Sequence, residues 1–118
     1  MSGKPALAPG RVVWVALSPT VGREQSGRRT ALIVASPGCL AIADTLALVV
    51  PVTTVVRGWP NHVPLTGPHG LSEPSVAMTE QLRAVSRSRI TDVSGAVDQQ
   101  CLDRVRTWLA DFLDLPTV

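Results

Sequence analysis

The sequence predicts a mainly β protein with one helix: a small, twisted, barrel-like sheet on which a C-terminal helix packs. Two observations carry this. Short runs rich in valine, leucine and isoleucine recur along residues 11–97, each closed by a proline- or glycine-containing turn. After residue 97 the apolar spacing changes to a helical period and holds it to about residue 113.

The elements follow in order. Residues 1–9 hold Pro5 and Pro9 with little pattern and read as a flexible leader, leaving 10–118 as a single domain. The first strand is Arg11–Leu17. Val12, Trp14 and Ala16 point one way and Val13, Val15 and Leu17 the other, so both faces need cover and Trp14 is expected in the core. Ser18-Pro19-Thr20 breaks it. A second strand spans Arg29–Ser36 and turns at Ser36-Pro37-Gly38, with a short helical turn possible in 37–45. Leu46–Thr54 is the strongest strand. Asn61–Leu65 is a short one, placed at a sheet edge by Pro64. Pro74–Glu80 forms another strand that continues toward Arg83, and Ile90–Val97 is the last. Asp98 is the expected N-cap of a helix from Gln99 to about Leu113, with Leu102, Val105, Leu109 and Phe112 on its apolar face and Pro116 ending it.

Composition narrows the class. The chain has 118 residues, 45% of them hydrophobic and 17% charged, which suits one ordered domain. The longest apolar run, Leu46–Val52, is far shorter than the roughly 18 residues that suggest a membrane span. No signal-peptide pattern follows Met1, so a soluble cytoplasmic protein is expected. Cys39 and Cys101 are isolated, and His62 and His69 stand apart from them; reduced thiols and no zinc site are expected.

Net charge is only +2, but it is unevenly spread: residues 98–118 carry four aspartates against two arginines, so the rest of the chain carries +4. Ten of the eleven basic residues are arginine, whose planar fork matches phosphate oxygens. Three of them stand in Gly22-Arg23-Glu24-Gln25-Ser26-Gly27-Arg28-Arg29, a loop between two strands. Arginines beside a carboxylate on an anchored loop suit a phosphodiester: the cations hold the phosphate and the carboxylate moves a proton. Arg57 and Trp59 form a basic–aromatic pair suited to an unpaired base, although Trp59 could equally cap the core. Arg83, Arg87 and Arg89 read either as a nucleic-acid path or as a solvated basic face.

Four segments, in order, resemble the MazF/PemK toxins of type II toxin–antitoxin systems. They are Gly10–Val15 with Ser18–Val34; Val50-Pro51-Val52-Thr53-Thr54; Leu71–Ala77; and Glu80-Gln81-Leu82-Arg83-Ala84-Val85. The resemblance implies an SH3-like, PemK-type twisted β-barrel with a C-terminal helix. It implies a homodimeric, metal-independent and cofactor-free endoribonuclease that cuts single-stranded RNA to 2′,3′-cyclic phosphate and 5′-hydroxyl ends. It also implies a cognate antitoxin whose acidic, disordered C-terminal tail blocks the RNA groove. Carried over by position, the catalytic residues are Arg29 and Thr53, with Glu24 as base or as a holder of Arg29. RNA contacts fall to Arg23, Gln25, Arg28, Arg57, Trp59 and Gln81. Two positions depart from the family pattern: Thr30 stands where proline is usual, and Arg23 where serine is frequent. Two other readings follow from the same barrel. One is a gyrase poison, for which the loop arginines and glutamate would have no purpose; the other is an inactive antitoxin-binding member.

Overall fold

The computed structural model describes residues 6–16 and 27–116. It contains β1 (Arg11–Ala16), β2 (Arg28–Ile33), α1 (Pro37–Ile42), β3 (Leu46–Thr53), β4 (His62–Pro64), β5 (Val76–Met78), β6 (Arg83–Ser86), β7 (Ile90–Ala96) and α2 (Gln99–Phe112). The strands form one antiparallel sheet in the order β4-β5-β3-β2-β1-β7, and β6 also pairs with β3. The two end strands do not pair with each other, so the sheet curls without closing. β4 lies at an edge, as Pro64 requires, since a proline cannot donate to a ladder on both sides.

β3 organises the sheet. Along one edge it pairs with β2; along the other it pairs with β6 through its first half and β5 through its last two residues. Val49 faces Arg83 while Val52 faces Ala77, so three residues on β3 span six on the opposing chain. The surplus is looped out as the 3-10 turn Thr79–Gln81. The single strand expected from Pro74 toward Arg83 is therefore two strands. The pairing partner, not the local pattern, imposes the break.

Both faces of the sheet are covered, as the two-sided pattern of the first strand demands. One face packs Val12, Leu32, Val50, Val63 and Ala77 against Leu102, Val105 and Leu109 of α2. The other packs Val13, Val15, Ala31, Ile33 and Val49 against Leu40 of α1. α1 resolves the ambiguous stretch 37–45 as a short helix: Ser36 accepts a hydrogen bond from the Cys39 amide and Pro37 occupies the first turn. Arg87 then ties off its C-terminal end, donating to the carbonyls of Leu40, Ala43 and Leu46. Asp98 caps α2 through the Cys101 amide at 2.9 Å and accepts the Thr66 hydroxyl at the same distance.

Two expectations about packing are corrected. Trp14 belongs to neither core cluster. It has the same strand parity as Val12 but is only half-buried, with the Arg28 guanidinium 4.9 Å from its ring centroid. Phe112 is 46% exposed rather than part of the buried helix face, because burial along α2 stops at Leu109. No helix among the described residues is long and apolar enough to cross a membrane.

Gly95 lets the turn at 67–70 lie on β7. The Ala96 amide donates to the Pro68 carbonyl and the Ser94 hydroxyl to that of His69. A methyl group at Gly95 would strike the Pro68 carbonyl oxygen and lie 2.6 Å from the His69 carbonyl carbon, both of them backbone atoms. Gly95→Ala is expected to cost about 1–3 kcal/mol, read as a lowered Tm by circular dichroism; an unchanged Tm would show that the turn moves freely away from β7.

Candidate active site

The β2–β3 register pairs Ala31 with Pro51, and two further residues along each strand set Arg29 opposite Thr53. Side chains alternate along a strand, so Arg29 and Thr53 emerge on the same face as Ala31 and Val49. On the other side of β2, Arg29 is paired with Val15 of β1. A cavity of about 590 Å³ opens here, and Arg29, Thr53, Gln81, Arg83 and Arg89 supply its polar wall. Its floor is apolar, built from Val15, Ala31, Val49 and Val52 among others. Among the described residues, three guanidinium groups thus converge on one concave surface, and no carboxylate is part of its lining. Such a surface attracts and holds an anion with several oxygens.

Thr53 ends β3 with its hydroxyl oxygen accepting the Val55 amide at 3.1 Å. That bond orients the hydroxyl and leaves its proton available for donation to a ligand. Gln81 reaches the cavity from the looped-out turn, whose geometry is fixed by its neighbour. Glu80 accepts from Asn61 Nδ2 at 2.7 Å, and both its oxygens lie 3.1 Å from His62 Nε2. The Thr79 hydroxyl donates to the Asn61 carbonyl at 2.8 Å, closing the connection between the turn and β4. Gln81 Nε2 in turn donates to Glu80 and Met78. Burial by itself raises the Glu80 carboxyl. Hydrogen bonds from His62, the backbone, Asn61 and Gln81 outweigh that and hold it below the ordinary carboxylate value. The opposite holds for Cys101, whose thiol is pushed up chiefly by burial and stays protonated in the core.

The structure separates the remaining sequence candidates. Arg28 points to the opposite face of β2, where it pairs with Asp92, donates to the Thr91 hydroxyl at 3.1 Å and covers Trp14. Arg57 and Trp59 lie on an exposed loop outside the cavity wall. Trp59 is 49% exposed and stands against the buried His62 ring at 4.9 Å between centroids, so it does not cap the core. Arg23, Glu24 and Gln25 lie outside the described residues. Of the arginines left open between a path and a solvated face, Arg83 and Arg89 join the cavity, whereas Arg87 is spent on α1. Sequence reasoning missed the His62–Glu80 pair. Among the described residues, no three of histidine, cysteine, aspartate and glutamate come together as a metal site would need.

The sheet, the C-terminal helix and the arginine-lined cavity beside Thr53 define a small, mainly β domain with a cationic, anion-binding site. The profile of the PemK-like, MazF-like toxins of type II toxin–antitoxin systems matches residues 8–113, and the chain belongs to that family. It is 31% identical over 99 residues to the endoribonuclease EndoA of Bacillus subtilis, covering 81% of this chain and 84% of that protein. It is 33% identical over 98 residues to the endoribonuclease toxin MazF of Escherichia coli K12, with 82% and 85% covered. A solved MazE–MazF complex from Deinococcus radiodurans superposes with a TM-score of 0.78 at 28% identity, covering 93% of this chain and 97% of that one.

Because the folded Glu80 carboxyl is held below its ordinary value, its contribution to stability is present above that value and is lost as pH falls through the folded one. Glu80→Gln is therefore expected to lower Tm at neutral pH, with the deficit shrinking as pH falls below the ordinary carboxylate value and through the lowered folded one. A deficit that does not change with pH across the acid limb would contradict a role for the ionised carboxylate.

Proposed function

We propose that this protein is a sequence-specific, metal-independent endoribonuclease toxin that cuts single-stranded RNA and is neutralised by a cognate antitoxin. The observation that carries the reading is the placement of Arg29 opposite Thr53 on a cavity whose other cations are Arg83 and Arg89. Family membership and the endoribonuclease relatives support it. The solved MazE–MazF complex supports a protein antitoxin as partner, and the antitoxin would bring an acidic disordered tail to the same cationic surface. The working unit in this reading is a homodimer.

In the proposed reaction the ribose 2′-oxygen attacks the adjacent phosphorus. The O2′–P bond forms, the P–O5′ bond breaks, and the products carry a 2′,3′-cyclic phosphate and a 5′-hydroxyl. A proton leaves the 2′-hydroxyl and a proton reaches the departing 5′-oxygen. Negative charge grows on the non-bridging oxygens in between, and preorganised donors aimed at that charge supply the largest share of acceleration. Arg29 has this role because a guanidinium stays charged at any working pH. Thr53 donates its hydroxyl to the same phosphate. Glu24 serves as the base for the 2′-proton or as the group that steadies Arg29. Arg83 and Arg89 hold flanking phosphates, and Gln81 and Trp59 contact bases, with Arg23, Gln25, Arg28 and Arg57 as further RNA contacts.

Purified protein is expected to cut a long single-stranded RNA in the presence of EDTA. Arg29→Ala and Thr53→Val should each lower the rate roughly 10²- to 10³-fold with an unchanged circular dichroism spectrum. Cleavage at the wild-type rate in both variants, or cleavage only with added divalent metal, would contradict the mechanism.

A further inference from the structure

The strand ends that carry Arg29 and Thr53 also carry Thr30 and Thr54, which by alternation point through to the other side of the sheet. A second cavity, of about 320 Å³, opens there, with Trp14, Thr30, Thr54, Glu73, Ser75 and Ser94 in its wall. Nothing in the mechanism above uses it. Its volume is at the small end of the range for ligand pockets. Trp14 is the direct cross-strand partner of Thr30, so the indole sits one residue along β2 from Arg29, on the reverse face. The ring does not drift: the Arg28 guanidinium lies over it and is itself anchored by Asp92 and Thr91.

The polar groups around the indole are already oriented. The Ser94 hydroxyl donates to the His69 carbonyl at 2.9 Å, and the Ser75 hydroxyl to the Glu73 carbonyl at 2.9 Å. Their protons are committed, so these oxygens face a ligand as acceptors. Thr30 leans toward the Val52 carbonyl at 3.4 Å. The Glu73 carboxylate stands exposed in the same wall and adds a charged acceptor. A fixed indole ringed by acceptors fits a flat, aromatic, N–H-donating ligand. It does not fit a phosphate, which Glu73 would repel.

We propose that this cavity is a nucleobase subsite. It takes the unpaired base of a nucleotide flanking the cleaved phosphodiester, held against the part of the Trp14 ring that lines the cavity and is not covered by Arg28, with its N–H groups donating to Glu73 and the serine oxygens. The phosphate at Arg29 and the base at Trp14 then straddle the end of β2, one on each side. The acceptor-rich wall favours adenine, cytosine and guanine, which carry exocyclic amines, over uracil, whose edge offers a single N–H between two carbonyls. Thr30, standing where the family usually has proline, belongs to the wall of both cavities.

This subsite rests on the RNA-cleavage reading, and two measurements separate the two. The first maps cleavage ends on a mixed-sequence RNA in EDTA. The wild-type profile should disfavour uracil at one flanking position. Glu73→Gln, which keeps the shape and adds a donor, should admit uracil there while total cleavage persists. Trp14→Ala should raise KM roughly tenfold, as expected for a lost base–aromatic stack, with kcat little changed, and Trp14→Phe should restore KM. The second titrates a short single-stranded RNA pool, 2′-O-methylated at every position and so without a free 2′-hydroxyl to attack, against indole fluorescence in wild type and Trp14→Phe. A smaller quenching amplitude in Trp14→Phe is expected, the difference being the Trp14 contribution and the remainder that of Trp59. Cleavage with the same profile and KM in Glu73→Gln and Trp14→Ala would overturn the subsite and leave the nuclease reading standing. Trp14-dependent quenching without cleavage by the wild type would overturn the nuclease reading and keep the subsite. Neither cleavage nor quenching would overturn both. If Trp14→Ala does not fold, Glu73→Gln on the exposed wall decides.

Discussion

The pairing of β3 with three strands is the constraint on which the molecule depends. Its edge with β2 sets Arg29 against Thr53, and its other edge must accommodate both β5 and β6 with three residues to spare. The surplus becomes the turn that carries Glu80 and Gln81. One ladder therefore assembles the cationic cavity from strands distant in sequence. It also buries Val49, Val50 and Val52, the first two among the fully buried side chains of the described residues. A one-residue slip along β2 would reverse every side chain, sending Arg29 to the α2 side and Arg28 into the cavity. The packed apolar sets on both faces prevent that slip, so core packing and site geometry are enforced by the same residues.

The two adjacent arginines show how alternation divides labour. Arg29 stays on the cavity face, where the described lining residues include no carboxylate. Arg28, one residue away, is held by Asp92 and covers Trp14. Glu80, next to Gln81, is turned toward His62 and Asn61 and shapes the turn. The surface left facing Arg29 is then positive enough to draw a polyanion, and a competing acidic segment would be drawn by the same field. Inhibition by an antitoxin tail and binding of RNA thus have a common electrostatic origin in the proposed function.

Much of this was legible in the sequence, for identifiable reasons. The strands β1 and β3 declare themselves as apolar, β-branched runs closed by turns and the helix α2 by its period-3.6 spacing, with Asp98 marking its start by capping chemistry; the start of α1 at Ser36 and Pro37 read only as a turn. The break between β5 and β6 was not legible, because Val76–Val85 reads as one strand until the register of β3 is known. Trp14 was misassigned for a related reason. Its parity with Val12 was right, but whether a helix covers that end of the strand is a tertiary fact. The His62–Glu80 contact joins residues 18 apart through a turn that only the pairing creates. For the site, Arg29, Thr53 and Gln81 were reached through the family resemblance, and the structure brings these three to one cavity. Bottom-up reading alone offered Arg28 and Arg29 as equals, since only the register tells them apart.

The central claim is that Arg29 and Thr53 act on one phosphate as a unit because β2 and β3 hold them opposite each other. The most direct measurement is a double-mutant cycle on single-turnover cleavage, with Arg29→Ala, Thr53→Val and the double variant. Groups that share one transition-state oxygen are strongly non-additive. The account predicts that the double variant loses little more than the worse single variant. Losses that multiply in full would place the two side chains on separate steps or separate phosphates and would contradict it.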